Sequence, residues 1–163
     1  MEKKQAAVKA CLTPRPNAIV SCRGKNGENN ALVVAYCCNC SYDPPMLMVG
    51  IVPSRHSYHM VKEAGCFVVN LPGRANKALF DYMGSHSGRD GDKLKAAGAK
   101  IAEGTKVNAP LLTDCPVCIE CTVVGSIRTG SHEMFAGKIE CVHADEQAVM
   151  ENGEIDFGKI DLL

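Results

Sequence analysis

Apolar residues along the chain come in short runs separated by clusters of Gly, Pro, Asn and Ser, a pattern that predicts many short strands with a few helices between them. Asn17 to Arg23 reads as a strand, Gly24 to Asn29 as a turn, and Ala31 to Tyr36 as the returning strand of a β-hairpin. Asp43-Pro44-Pro45 bars regular pairing, and the apolar run Met46 to Val52 predicts a buried strand that Pro53 ends. Ser54 offers a cap for a helix through about Ala64, closed by Gly65, and Cys66 to Leu71 resumes β before Pro72. Ala78, Leu79, Tyr82 and Met83 have helical spacing, which breaks into the polar, Gly-rich loop Gly84 to Gly91. A short helix around Asp92 to Ala97 and an irregular segment to Pro116 lead to two long strands, Val117 to Ile127 and Glu133 to Ala144, joined by Arg128 to His132. The acidic tail from Asp145 is expected at the surface. Six strands with inserted helices argue for a mainly β fold, a closed barrel with helical excursions.

Length and charge narrow the classes. The 163 residues suit a single domain over residues 1–163, able to bury a core without disulfide or metal staples. Lys plus Arg and Asp plus Glu number 18 each, so no net field draws the chain onto nucleic acid or an anionic membrane. No run approaches the ~18 apolar residues of a membrane-spanning helix, and the start lacks the apolar core of a secretory signal. The expectation is a cytoplasmic protein with neither nucleic acid nor membrane as partner.

Ten cysteines in a chain without an export signal point to free thiols rather than a disulfide framework. Cys37, Cys38 and Cys40 lie within four residues, and Cys115-Pro-Val-Cys118-Ile-Glu-Cys121 holds two overlapping CxxC spacings of the kind zinc and iron-sulfur sites use. Cys118 and Cys121 fall in a strand, however, where a separation of three points side chains to opposite faces. No metal ligand is assigned, and a cysteine-rich metal-binding protein stays as the rival class.

Other motifs remove or suggest chemistry. No GxGxxG follows a strand, and GxxxxGK[ST], HExxH and GxSxG are absent, so Rossmann, P-loop, zincin and α/β-hydrolase readings lose support. Ser54-Arg55-His56-Ser57, between a strand and a helix start, brings backbone N–H groups, two hydroxyls and a guanidinium to where a phosphate could sit; the alternative is an ordinary cap with a solvated Arg. Ser87-Gly88-Arg89-Asp90-Gly91-Asp92-Lys93 offers donors on a loop, or a solvated charge run. Asn39 to Pro45 is either a stiff ligand-facing loop or a plain crossover. His132, at the mouth of a hairpin, is either a rim residue or a reacting group.

Taken in order, Pro14-Arg15-Pro16-Asn17-Ala18-Ile19-Val20-Ser21, Asn30 to Tyr36, Asn39 to Pro45, Pro53 to Tyr58, Val68 to Pro72, Ser87 to Lys93 and Gly130 to Gly137 resemble the flavin reductase-like FMN-binding split barrels, the flavoredoxin type among them. The resemblance runs from about Pro14 to the end of the chain. It implies a six-stranded Greek-key split barrel, a homodimer, and non-covalent FMN near the subunit interface. By residue-to-residue match, Ser54, Arg55 and Ser57 would face the FMN phosphate; Asn30, Tyr36, Asn39, Cys40 and Ser41 would line the flavin site; Lys93 with Ser87, Gly88 and Arg89 would reach the ring or the phosphate. His132 matches the position near the nicotinamide or flavin edge. The implied activity is reduction of FMN by hydride from NAD(P)H and passage of the electrons to an unnamed acceptor. The alternative is an FMN carrier fed by a protein electron donor, without NAD(P)H activity of its own, or an FMN-storing module. Two departures stand out: Tyr36 matches a position that is often Trp, and relatives tend to continue past Leu163 with a Gly- and Tyr-containing tail that can cover the flavin.

Overall fold

The computed structural model describes residues 1–163. The first hairpin forms as its turn residues predict: β1 (Ala18–Arg23) pairs antiparallel with β2 (Asn29–Val34). After β2 the chain bends at Ala35 and at once begins β3 (Tyr36–Ser41), which pairs with β4 (Met46–Ile51). Helix α1 (His56–Ala64) follows, then β5 (Cys66–Leu71) and helix α2 (Lys77–Ser85). A one-turn helix α3 (Lys93–Ala96) precedes the short strands β6 (Ile101–Glu103) and β7 (Pro110–Leu112), which pair only with each other. The long strands β8 (Val117–Thr129) and β9 (His132–Ala144) complete a seven-stranded sheet in the order β2-β1-β5-β8-β9-β4-β3.

That order carries a geometric demand. β2 and β3 are the two edges of the sheet, yet a single residue, Ala35, separates them in sequence. One residue spans only ~3.3–3.6 Å, so the sheet must roll until its edges meet. The edges carry no ladder between them, and the result is a barrel split along one seam. Strand alternation then divides the apolar residues between two cores. Ala18, Val20, Leu32, Val34, Leu47, Val49, Phe67, Val69, Cys121 and Phe135 fill the barrel, and Tyr58, Met60 and Val61 of α1 pack against them. The outer faces of β1, β2, β5 and β8 supply Ile19, Ala31, Val68 and Cys118 to a second core that Met83, Leu94 and the Val107–Cys115 stretch cover. Gly137 marks how tightly the barrel is filled, since a Cβ there would lie 2.6 Å from the Phe67 ring.

The sequence pattern located six of the nine strands. β3 departs from the sequence reading, which ends the second strand at Tyr36 and makes Asn39 to Pro45 a polar excursion; a β-bulge between Asn39 and Ser41 interrupts its register. β6 and β7 were missed because three residues each are too short to show a period. At α1 the N-cap position falls to Arg55 rather than Ser54, with no side-chain capping bond, while Gly65 closes the helix at φ 67° as expected. The acidic tail runs over the surface but is tied down. The Leu163 N–H donates to Pro72 O (2.9 Å), Asn17 Nδ2 donates to Leu163 O (2.6 Å), and Ala148 is fully buried.

One buried carboxylate fastens α1 to the sheet. Tyr58 Oη donates to Glu133 Oε2 (2.5 Å), Ser126 Oγ donates to Oε1 (2.6 Å), and Lys62 Nζ lies 3.3 Å from both oxygens. The Ser126 and Tyr58 hydrogen bonds, with Lys62 behind them, outweigh the burial of the group and draw its pKa down to about 2. The folded chain therefore binds this proton less readily than the unfolded one, so the stabilisation is complete above the ordinary glutamate range and is lost as pH falls from there toward 2. Thermal melts of wild type and Glu133→Gln should differ most at neutral pH and converge as pH drops from about 5 toward 2. A difference that stays constant over that window would remove the ionised carboxylate from the account.

Candidate functional site

A cleft of about 510 Å³ opens where the rolled edge meets the helices. β2 contributes Asn30, Leu32 and Val33, the bend contributes Ala35, and the β4–α1 connection contributes Ser54, Arg55, His56 and Ser57. The C-terminal end of α2 and the loop after it add Met83 to Arg89, and α3 adds Lys93. Arg55, Arg89 and Lys93 make three basic groups, and no Asp or Glu lines the cleft. Helix α1 begins at its wall without a side-chain cap, which leaves first-turn N–H groups and the positive end of the helix dipole facing this space.

The walls are held by specific bonds. Asn30 Nδ2 donates to Ser57 Oγ (2.7 Å), joining β2 to the first turn of α1, and Asn30 Oδ1 is buried with no partner. An unpaired buried carbonyl costs ~1–3 kcal/mol unless a ligand or water supplies a donor. Arg89 Nη2 donates to Ser54 O (2.9 Å), and the Arg89 N–H donates to Ser87 Oγ (3.2 Å), so the Ser87–Asp90 turn is strapped to the β4–α1 connection. Lys93 Nζ donates to Met83 O (3.1 Å) and His86 O (2.9 Å), closing the end of α2. Burial, with the nearby Arg55 charge adding and Cys22 opposing, lowers its pKa to about 8. A buried ammonium with one donor to spare is a receptor for an anionic or carbonyl oxygen.

Eight of the sequence-predicted residues thus converge: Asn30, Ser54, Arg55, Ser57, Ser87, Gly88, Arg89 and Lys93. Tyr36 and His132 form a second group. Their rings meet edge-on at 4.9 Å and 74°, and Ser131 Oγ lies 2.8 Å from His132 Nδ1. Tyr36 directly follows Ala35 of the cleft wall. Asn39, Cys40 and Ser41 lie instead along a separate depression of about 540 Å³, shared with Tyr42, Pro45, Met46 and Ile139. Cys37 packs against the barrel core, where burial, reinforced by Cys38, pushes its thiol up to about 12. Cys118 and Cys121 do face opposite cores, and burial raises each thiol to about 12. All ten cysteines are free.

Two lining histidines carry no role in the sequence reading, one in the Ser54–Ser57 motif and one in the loop from Gly84 to Gly91. His56 sits inside the Ser54–Ser57 motif, and His86 stacks on Tyr82 with ring centroids 3.7 Å apart. Nothing in the local sequence distinguishes either from a surface histidine.

The family model described as "Flavin reductase like domain" matches residues 10–157. The chain belongs to this family. The flavoredoxin of Desulfovibrio vulgaris (Miyazaki F) is 28% identical with a TM-score of 0.90, the match covering 97% of this chain and 85% of that one. Flavoredoxin from Methanosarcina acetivorans is 27% identical with a TM-score of 0.89, covering 100% and 86%. Among curated relatives, a protein named FMN reductase (NADH) RutF from Methylorubrum extorquens is 29% identical over 111 residues, 68% of this chain. The chain spans 45%, 65% and 52% of the lengths of three curated relatives it matches. Family and split-barrel fold are therefore as the sequence motifs implied, with the sheet enlarged from six strands to seven and a two-stranded ribbon added. No helix is long and apolar enough to cross a membrane.

Two glycines that line the cleft should respond oppositely to substitution. A Cβ at Gly88 would lie 2.6 Å from Asn30 Oδ1 and 2.7 Å from the His56 ring. Gly88→Ala should therefore cost about 1–3 kcal/mol in urea unfolding. At Gly84, inside α2, a Cβ meets only the Val33 side chain, at an ordinary 3.5 and 3.6 Å. Gly84→Ala should stabilise by up to about 1 kcal/mol through helix propensity. Equal effects at the two positions would show that the Gly88 turn is not packed against Asn30 and His56 as described.

Proposed function

We propose that the protein is an FMN-binding oxidoreductase that reduces its flavin by hydride from NAD(P)H and passes the electrons to an acceptor. The observation that carries this reading is the cleft itself, with three cations, an uncapped helix N-terminus and an orphaned buried carbonyl, and without a single carboxylate. A dianionic phosphate joined to a hydrogen-bonding ring system answers each of these features. The N-terminal turn of α1 and Arg55 suit the phosphate, as helix starts and guanidinium groups do generally. Asn30 Oδ1 would accept from a ligand N–H or O–H, and the spare donor of Lys93 would meet an oxygen on which reduction places negative charge. FMN, when bound, supplies the hydride and single-electron chemistry.

The protein's own residues bind, orient and tune. Arg89 and Ser87 hold the turn that forms one wall, and Gly88 lets it approach Asn30. His132, steadied at Nδ1 by Ser131 and edge-on to Tyr36, has Nε2 free to orient a hydride donor. Tyr36 provides an aromatic face smaller than the Trp frequent in relatives. The relative named as an NADH-dependent FMN reductase supports a nicotinamide donor, and the likeness to two flavoredoxins supports the second reading, an FMN electron carrier served by a protein donor. A homodimer fits the exposed Val124 and Ile127 on the arm of the β8–β9 hairpin. Against the cysteine-rich metal reading, Cys121 faces the opposite core from Cys115 and Cys118, which share one, and Cys37 packs against the barrel core, so neither cluster presents its three thiols together.

Titrating the purified protein with FMN and then with NADH or NADPH under anaerobic conditions tests this reading. Binding followed by bleaching of the flavin band is expected. Binding without bleaching would move the protein to the carrier reading, and absence of binding would overturn both. His132→Ala should slow bleaching by about ten- to a hundredfold, as misplacement of a reactant does, with FMN affinity unchanged. Unaltered kinetics would release His132 from its role.

A further inference from the structure

Away from the cleft, β8 and β9 bring together a carboxylate, a thiol and an imidazole. Glu120 lies directly opposite Cys141 across the ladder, and His143 is two residues beyond Cys141, on the same face of β9. One ligand atom from each lies within 4.8 Å of the others, and His143 Nε2 is 2.6 Å from Glu120 Oε1. The Glu120 side chain is fully buried, Cys141 is half-buried, and His143 is one-third exposed, so the cluster opens to solvent on the imidazole side.

The carboxylate is held before any ligand arrives. The backbone N–H groups of Thr105, Lys106 and Val107 donate to it at 2.9, 2.7 and 2.9 Å. Gly104 completes this nest, since a Cβ there would strike Val107 O and approach Glu120 Oε2 at 3.1 Å. These bonds orient the carboxylate as outer-shell groups orient metal ligands. Oε1, which accepts only the Thr105 N–H besides the His143 contact, faces His143. Nearby Cys118 is no fourth ligand: its thiol is turned to Leu112 O at 3.4 Å.

We propose that Glu120, Cys141 and His143 form a three-ligand site for a zinc-class divalent cation, separate from the flavin cleft. Oxygen, nitrogen and sulfur donors together suit a borderline-soft ion, and three protein ligands with one open side suit tetrahedral coordination completed by water. Bonds of ~2.0–2.1 Å to oxygen and nitrogen and ~2.3 Å to sulfur require donor separations of about 3.3–3.6 Å. Nε2 and Oε1 must therefore part by somewhat under 1 Å and the thiol must swing in by about 1 Å, movements within reach of side-chain rotation. On binding, Cys141 gives up its thiol proton to water and binds as thiolate, and the Nε2 proton that His143 donates to the Glu120 carboxylate must also leave that nitrogen. A neutral imidazole regains it at Nδ1 by exchange with water, so that one proton leaves per ion, whereas an imidazolium releases it to solvent, so that two leave.

The test is Zn²⁺ binding by the full chain, reduced and stripped with chelator, measured by competition with a chromophoric chelator and by zinc X-ray absorption. One ion per chain is expected, with one sulfur in its shell and the rest nitrogen or oxygen. Cys141→Ser and His143→Ala should each weaken binding about tenfold or more, since changes in the outer shell alone reach that size. Cys38→Ser/Cys40→Ser should leave it unchanged. Affinity indifferent to Cys141→Ser, a shell of several sulfurs, or loss of binding in the Cys38/Cys40 variant would overturn the proposal. If His143→Ala fails to fold, Cys141→Ser and the sulfur count decide alone.

Discussion

The link of one residue at Ala35 governs this structure. Two strands joined so closely cannot lie at opposite edges of a flat sheet, so the sheet rolls, and the seam between its edges becomes the place where backbone is least committed to ladders. The cleft forms beside that seam. Its floor is the outer end of β2, its walls are the start of α1 and the turn after α2, and the Asn30–Ser57 hydrogen bond locks floor to wall. A closed ladder at this point would have consumed the groups that the cleft leaves free.

Electrostatics then gives the cleft its character. The chain as a whole is neutral, with equal numbers of acidic and basic residues, yet this one cavity collects three cations and excludes carboxylates. The acidic groups are engaged elsewhere, Glu133 with Tyr58, Ser126 and Lys62 at the barrel wall and Glu120 with His143 and a backbone nest under the second core. Net charge told nothing of this segregation, because topology rather than composition brings Arg55, Arg89 and Lys93 together.

Much of the architecture was legible because burial imposes periodicity. β1, β4, β5 and the inner halves of β8 and β9 are apolar runs or alternations, and Gly65 ends α1 in the left-handed conformation that glycine adopts freely. β3 was not legible, since an edge strand exposed on much of its surface has no apolar face to display. The site was legible in parts. Ser54 to Ser57 showed donor chemistry at a helix start and the Ser87–Lys93 loop showed donors that a solvated charge run would equally explain, whereas Asn30 became a site candidate through family resemblance; only the fold unites Asn30, Arg89 and Lys93. Asn39, Cys40 and Ser41 go to another depression, at the bulge of β3. The Glu120–Cys141–His143 group had no signal at all, as its members meet only through the β8–β9 register.

Comparing FMN with riboflavin bears most directly on the claim that this cleft binds a flavin phosphate, because the two ligands share a ring and differ in the phosphate. Arg55→Ala should weaken FMN by about ten- to a hundredfold, the worth of one charge-assisted hydrogen bond of ~1.5–3 kcal/mol, and leave riboflavin affinity unchanged. Equal losses for the two ligands, or no loss for FMN, would contradict the assignment.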